Sequence, residues 1–259
     1  MGLGDQLMAT GLAKGAAARG KRIAFGDGHR IIWDKNSLEI FRKNKNIAIP
    51  GSERDNDIEW CNFYRGHRIY NRQEGGRWVW NYDFKPIPGE LFFSPDEANF
   101  ASKLRPDFIL IEPNVPWWKS VAVNKDWGLK KYQAVADELK RKGQRVAQLS
   151  FGKQRLQGVE VIYAGDFRTA VAALAKAKFA VLPEGGLHHG AAAVGIPAVV
   201  LFGGFIPPSV TGYDFHINLT GGAEACGSIH QCQHCRAALD AISVDEVLAA
   251  CKKLIKGAA

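Results

Sequence analysis

The chain has 259 residues, a formal net charge of +8 and a pI near 9.3, with 46% apolar and 23% charged residues. This is ordinary globular composition, long enough for one large or two modest domains. No apolar run approaches the roughly 20 residues that span a bilayer, and "MGLGDQLMATGLAKG" lacks the basic start and apolar core of a signal peptide, so a cytoplasmic protein is expected. The positive charge favours anionic partners: nucleotides, phosphorylated lipid cores or nucleic acid. Five cysteines, an odd number with no export signal, argue against a disulfide framework.

In chain order, "GLGDQLMATGLAKGAAARGK" reads as a glycine turn entering a helix, and "RIAFGD" (22–27) as a strand. From 28 to 106 the text is rich in Asn, Arg, Trp, Pro and Gly, with short apolar runs; "GHRII" (28–32) is echoed by "GHRIY" (66–70). All seven tryptophans fall between Trp33 and Trp127, so the two halves are built differently. "FILIEP" (108–113) is a short apolar strand. "KKYQAVADELKRKG" (130–143) is amphipathic, with Tyr132, Val135, Ala136 and Leu139 on one face and Gly143 as its stop. "RVAQLSFG" (145–152) and "VEVIYAGD" (159–166) are strands, "FRTAVAALAKAK" (167–178) a helix, and "FAVLP" and "PAVVLFG" strands again. The last helix, "SVDEVLAACKKLIKG" (243–257), opens with a capping box of Ser243 and Glu246. Strands alternating with helices imply βαβ units, so a Rossmann-like domain is predicted from about residue 107 onward.

Between two of those strands stands "PEGGLHHGAAAVGIPAVVLFGG" (183–204), with a helix expected to start at about His188. In an open α/β sheet, ligands bind where strands end and helices begin. The first amides of a helix lack partners and sit at the positive end of its dipole, so a diphosphate suits this place. The alternative is a glycine turn with core-packed histidines. Asp5 is open in the same way: it either caps a helix starting at Gln6 or does chemistry.

Other residues carry weaker signals. Cys226, Cys232 and Cys235, in "CGSIHQCQHC", have the ligand types for Zn²⁺, but the second Cys-x-x-Cys is missing and free thiols are the alternative. Cys61 and Cys251 read as packing residues. Asp55 and Asp57 lie in a polar stretch without a convincing metal context. "RWVWNYDF" (77–84) and "VPWWKS" (115–120) pair aromatics with Arg or Lys; Trp78, Trp80, Trp117 and Trp118 are candidates for stacking on a sugar or base, or are structural.

The 183–204 segment resembles the donor-binding motif of the heptosyltransferase-type glycosyltransferases, family 9 of the GT-B fold. "GLGDQLMATG" is similar to that family's opening loop and helix, "VNKDWGLKKYQAVADEL" (123–139) to its lysine–tryptophan segment, and the cysteine-bearing tail to its C-terminal region. The likeness is thin between about 30 and 105. It implies an α/β protein of two Rossmann-like domains facing a cleft, the N-terminal one small and irregular: an acceptor domain over 1–115 and a donor domain over 116–259. It also implies a nucleoside-diphosphate sugar as co-substrate, with no cofactor and no metal required, and an inverting displacement. Asp5 would deprotonate the acceptor hydroxyl. Lys125 would contact donor phosphate, Glu184 the donor sugar, and Gly185, Gly186, Leu187 and His189 would cradle the diphosphate.

The departures limit the carry-over. The family has an apolar strand before its glycine loop and some tens more residues, and "SFGKQRLQGVE" (150–160) replaces the acidic residue commonly near the nucleoside. Donor identity therefore stays open, and so does the acceptor: a lipopolysaccharide-core-like glycolipid, or DNA with a hydroxymethylated base. A non-catalytic nucleotide- or nucleic-acid-binding module and a nucleotide-sugar epimerase are the readings from other classes. A dinucleotide oxidoreductase fails, because no strand precedes "GLGD" and no convincing helix follows "GDG" at 26–28.

Overall fold

Strands buried on both faces must be apolar throughout, and in a parallel sheet each needs a crossover to reach the next. The second half of the chain meets both conditions. The computed structural model describes residues 1–115, 119 and 121–257. The N-terminal half begins with helix α1 (Leu3–Ala18) and strand β1 (Arg22–Phe25). Helix α2 (Lys35–Phe41), strand β2 (Ile58–Cys61), the hairpin β3 (Asn71–Glu74) and β4 (Arg77–Trp80), and helix α3 (Pro95–Ser102) complete it. The second half runs β5 (Phe108–Ile111), a 3-10 turn at Ala122–Lys125, α4 (Leu129–Arg141), β6 (Val146–Leu149) and β7 (Glu160–Ile162). It continues through α5 (Phe167–Leu174), β8 (Ala177–Pro183), α6 (Gly186–Ala193), β9 (Ala198–Leu201), α7 (Pro208–Thr211), β10 (Ile217–Leu219), α8 (Gln233–Ala241) and α9 (Val244–Gly257).

Six strands form one parallel sheet in the order β10-β9-β8-β5-β6-β7. Alternation along the strands sorts its side chains onto two faces. Phe108, Leu110, Leu182 and Val200 join a core shared with α1, α5 and α6, whereas Ile109, Ile111, Val181 and Val199 join one with α4 and α9. The chain leaves β5 in one direction through β6 and β7, then returns to the other side through β8. The order thus reverses between β5 and β8, and the crevice beyond their C-terminal ends is where such sheets bind ligands.

The N-terminal half contains a smaller parallel pairing. β1 pairs with β2 in parallel and bridges to Ile47 on its other side, so this sheet draws on later segments of the chain. The β3–β4 hairpin turns through Gly75 and Gly76, both at positive φ (54° and 74°), as a type I′ turn requires. Two contacts lock the halves together. α1 lies on α6, and α3 lies on α5, where the buried Arg168 guanidinium bonds both carboxylate oxygens of Glu97 at 2.7 and 2.9 Å. Although burial pushes the Glu97 carboxyl up, its bonds to Arg168 prevail and hold it at about 2.

Candidate active site

Helix α1 starts earlier than the sequence suggests. Gly2 is its N-cap, so Asp5 sits in the first turn, three residues past the cap, rather than capping a helix at Gln6. From there Asp5 Oδ2 accepts the Gly2 N–H at 2.7 Å. Its Oδ1 accepts the Tyr70 hydroxyl and lies 3.3 Å from Arg68 Nε. Burial, then the charge of Asp5, raises the Tyr70 hydroxyl well above its ordinary pKa, so it remains a donor. The carboxylate is held from both sides and stays 14% exposed.

Helix α6 begins in the same manner. It opens at Gly186, slightly ahead of the expected start, with Gly185 as N-cap, and the Gly185 N–H donates to His188 Nδ1 at 3.0 Å. His188 Nε2 therefore carries the proton and donates to the Thr211 carbonyl at 2.9 Å. Both nitrogens of this buried ring are committed, which makes His188 structural. The neighbouring His189 has one nitrogen without a partner among the described residues. Its Nδ1 faces the Tyr213 hydroxyl at 2.8 Å, and no other partner for that hydroxyl occurs among the described residues. The hydroxyl donates, leaving His189 Nε2–H as a donor. Burial first, then His188 and Lys125, lowers the His189 pKa well below its usual value, so the ring is neutral.

The two helix starts touch. A Cβ on Gly4 would lie 2.9 Å from His189 Cδ2 and 3.0 Å from Gly186 Cα, so only glycine fits there. Of the two glycines in the motif, Gly186 is the crowded one, because a Cβ there would come within 3.1 Å of the Phe167 ring. Gly185 alone faces open space. Leu187 is partly buried and packs on the core. Glu184 follows the last residue of β8 at the switch point, buried and ion-paired with Lys125, whose ammonium also lies 5.0 Å from the centre of the Phe205 ring. Asp5, Lys125, Glu184, Gly185, Gly186 and His189 thus gather in one region, from segments as much as 180 residues apart.

The tryptophans divide. Trp80 is buried and packs edge-on against Phe205 at 5.9 Å, a wall rather than a platform. Trp78 is half-buried, with the Arg68 guanidinium 5.0 Å from its ring centre. Trp117 and Trp118 lie outside the described residues. The Asp55 and Asp57 pair is taken up by Arg22, at 2.6 and 2.7 Å.

Three thiols meet as the sequence suggested: Cys226 Sγ lies 3.3 Å from Cys235 Sγ and 3.9 Å from Cys232 Sγ. Their loop is tied to both halves, since the Trp78 N–H donates to Gly227 O at 2.8 Å and Asn124, beside Lys125, donates to the His230 carbonyl at 2.7 Å. Glu184, His188 and His189 also place ligand atoms within 4.8 Å of one another. That group has few lone pairs left, because His188 uses both nitrogens and Lys125 holds Glu184.

Sequence reading missed Arg68, Tyr70, Tyr213 and Glu112. The first two stand in the "GHRIY" echo, whose sequence pattern carries a repeat and no chemical signal. Glu112 follows β5 at the same switch point; burial pushes its carboxyl up to about 7, although Asn114 donates to Oε1 at 2.6 and 3.1 Å, and Oε2 has no hydrogen-bond partner among the described residues.

The comparisons with known proteins fit this architecture. The profile of glycosyltransferase family 9 (heptosyltransferase) matches residues 16–243, a span that begins after Asp5. No curated protein matches the chain. Among solved structures, the iron-containing dodecameric glycosyltransferase TibC from enterotoxigenic E. coli H10407 is 14% identical, with a TM-score of 0.62 over 100% of this chain and 75% of that one. The family 9 glycosyl transferase from Veillonella parvula DSM 2008 is 17% identical, with a TM-score of 0.50 over 65% of this chain and 54% of that one. E. coli ADP-heptose lps heptosyltransferase II is 20% identical, with a TM-score of 0.46 and the same two coverages. The chain thus spans about half the length of the last two relatives. At these identities the likeness carries the GT-B fold, with its six-stranded parallel sheet, and the profile carries the family: this chain belongs to glycosyltransferase family 9.

Proposed function

We propose that the protein is a glycosyltransferase, moving a sugar from a nucleoside-diphosphate sugar to a hydroxyl of an anionic acceptor of the lipopolysaccharide-core type. The observation that carries this reading is the meeting of a held carboxylate, Asp5, with the α6 helix mouth and the Lys125–Glu184 pair at the sheet's switch point. The acceptor hydroxyl attacks the anomeric carbon with inversion. Asp5 takes its proton as the new C–O bond forms, and the bond to the diphosphate breaks. The leaving diphosphate gathers negative charge, which the first amides of α6, His189 Nε2–H and Lys125 offset. Lys125 has three donors and gives one to Glu184, so others remain for phosphate. This displacement needs no metal at the reacting carbon.

The acceptor side belongs to residues 1–115 and the donor side to 116–259, with β5 reaching into the donor sheet from before that division. A cytoplasmic setting suits a nucleotide-sugar substrate, and no helix among the described residues is long and apolar enough to cross a membrane. None of the relatives named above is described as acting on DNA, and that acceptor is not carried forward. One of them is described as iron-containing. In this chain the donor set suited to such an ion is the cluster of Cys226, Cys232 and Cys235, where it would brace the loop against β4 and take no part in the reaction.

The test is the melting temperature with UDP, ADP, GDP, CDP and TDP in turn. A diphosphate at about 100 times its Kd stabilises by about 2.7 kcal/mol, a shift of about 5–10 °C in a chain of this size. One base should stand out, and Lys125→Met should abolish its shift. If no diphosphate moves the transition, the donor-site reading is wrong.

A further inference from the structure

Lys125 ends a 3-10 turn of four residues, Ala122–Lys125. So short a turn has few bonds of its own, and a long lysine on it is aimed only as well as its neighbours are held. Those neighbours are held by one distant segment. Asn124 is buried, and its amide makes three hydrogen bonds to a loop more than 100 residues away. Nδ2 donates to the His230 carbonyl at 2.7 Å and to the Ser228 carbonyl at 3.2 Å, while Oδ1 accepts the Cys232 N–H at 3.0 Å. On the other side of Lys125, the Asp126 carbonyl accepts a bond from Arg236 Nη1 at 2.8 Å. The same loop also holds the wall beside the ammonium. The Cys226 N–H donates to Gly204 O at 2.9 Å and the Gly227 N–H to Phe205 O at 3.0 Å, and the Phe205 ring centre lies 5.0 Å from Lys125 Nζ. The loop folds back on itself where the Cys226 and Cys235 sulfurs meet, so these groups are offered from a closed frame.

We propose that the 226–236 segment is a clamp for Lys125, and that Asn124 is the positioning residue through which it acts. An amide matches two carbonyls and one N–H. A carboxylate lacks the donors, and an apolar side chain would leave three buried backbone groups unpaired. A free lysine loses several rotamers when it orders on a ligand; holding its backbone and its Phe205 wall beforehand removes part of that cost. The consequence for diphosphate rests on the reading of Lys125 as a phosphate donor, whereas the clamp itself does not.

The test is a double-mutant cycle on the full chain, with calorimetric titration of the preferred nucleoside diphosphate. Asn124→Ala and Arg236→Met are each measured alone and combined with Lys125→Met, using millimolar nucleotide, well above the concentration of the melting test, where binding is weak. Asn124→Ala should weaken binding about tenfold and Arg236→Met about two- to threefold, but each by less than about twofold in the Lys125→Met background, where nothing is left to position. In parallel, amine acylation is read lysine by lysine with mass spectrometry. Lys125 should react about threefold faster in Asn124→Ala, with the exposed Lys252 unchanged as the reference. The unliganded melting transition is the folding control. Should Asn124→Ala fail it, Arg236→Met decides by the same criteria, because that side chain is partly exposed and its loss leaves the interior intact. An affinity within about twofold of the parent in folded Asn124→Ala, or an equal loss with and without Lys125, would overturn the proposal. If the parent binds no diphosphate, the transferase reading falls and acylation decides the clamp: a faster Lys125 keeps it, and an unchanged one removes it.

Discussion

The two helix mouths that meet at the cleft, α1 and α6, are built alike and are left with different capacities. Each has a glycine N-cap whose N–H donates to the side chain three residues on: Gly2 to Asp5, and Gly185 to His188. At α1 that side chain is a carboxylate with several lone pairs, so after serving the cap it still engages Tyr70 and Arg68 and keeps an exposed edge. At α6 it is a neutral imidazole with two nitrogens, both consumed, and the free donor passes to His189. The same local device is therefore compatible with chemistry in one place and closed to it in the other. What separates them is the number of valences left after capping.

The sharpest way to break that comparison is Asp5→Asn. The amide oxygen can still accept the Gly2 N–H, so the helix start should survive while the base is lost. Turnover should fall about 10²–10⁴-fold with nucleotide affinity unchanged. Single-turnover transfer measured beside diphosphate binding checks this, and a variant within a few-fold of normal turnover would show that Asp5 only caps.

Acid should act on the α6 side. Burial lowers the pKa of His188 and His189, and burial together with the His188 ring lowers that of His216 to about 4. Between about 4 and the unfolded value near 6.5, the unfolded chain binds more protons at these sites than the folded one. Stability from them should therefore be present above about pH 6.5 and fall as pH drops, by on the order of 3 kcal/mol for His216 alone. Glu112 works in the opposite direction: its folded pKa of about 7 lies above the unfolded value, so its contribution falls as pH rises from about 4.5 to 7. Glu112→Gln should thus steepen the rise in melting temperature between pH 4.5 and 6.5. A flat profile in that variant would mean that the three rings do not stay neutral.

The smallest expected effect separates the adjacent histidines. His188→Ala strands the Gly185 N–H and the Thr211 carbonyl in the interior and should cost about 2–4 kcal/mol of stability. His189→Ala should cost less stability and more diphosphate affinity. Urea unfolding with titration of the preferred nucleotide checks the pair, and the reverse order would exchange their roles.

Much of this was readable along the chain. The strand–helix alternation after 107 marked the parallel sheet, because strands buried on both faces must be apolar throughout and α4 must be amphipathic to cover them. The glycine motif was placed at a helix start for the same local reason, although the helix opens at Gly186. Asp5 was recognisable, but its place inside the first turn was not, since the shift of the cap to Gly2 depends on which amide Asp5 itself satisfies. The N-terminal sheet was not legible. β1 finds β2 some 30 residues later, and such short strands carry little periodicity of their own.

Sequence alone determined most elements of the second half, apart from α7, β10 and α8, and the residue types at both helix mouths, because periodicity, capping and turn chemistry act over a few neighbours. Only the tertiary structure decided which glycine is bound by packing, which histidine keeps a free nitrogen, and that Arg68 and Tyr70 stand against Asp5. Those outcomes follow from contacts between segments from about 20 to more than 60 residues apart, where local pattern carries no information about what a side chain will meet.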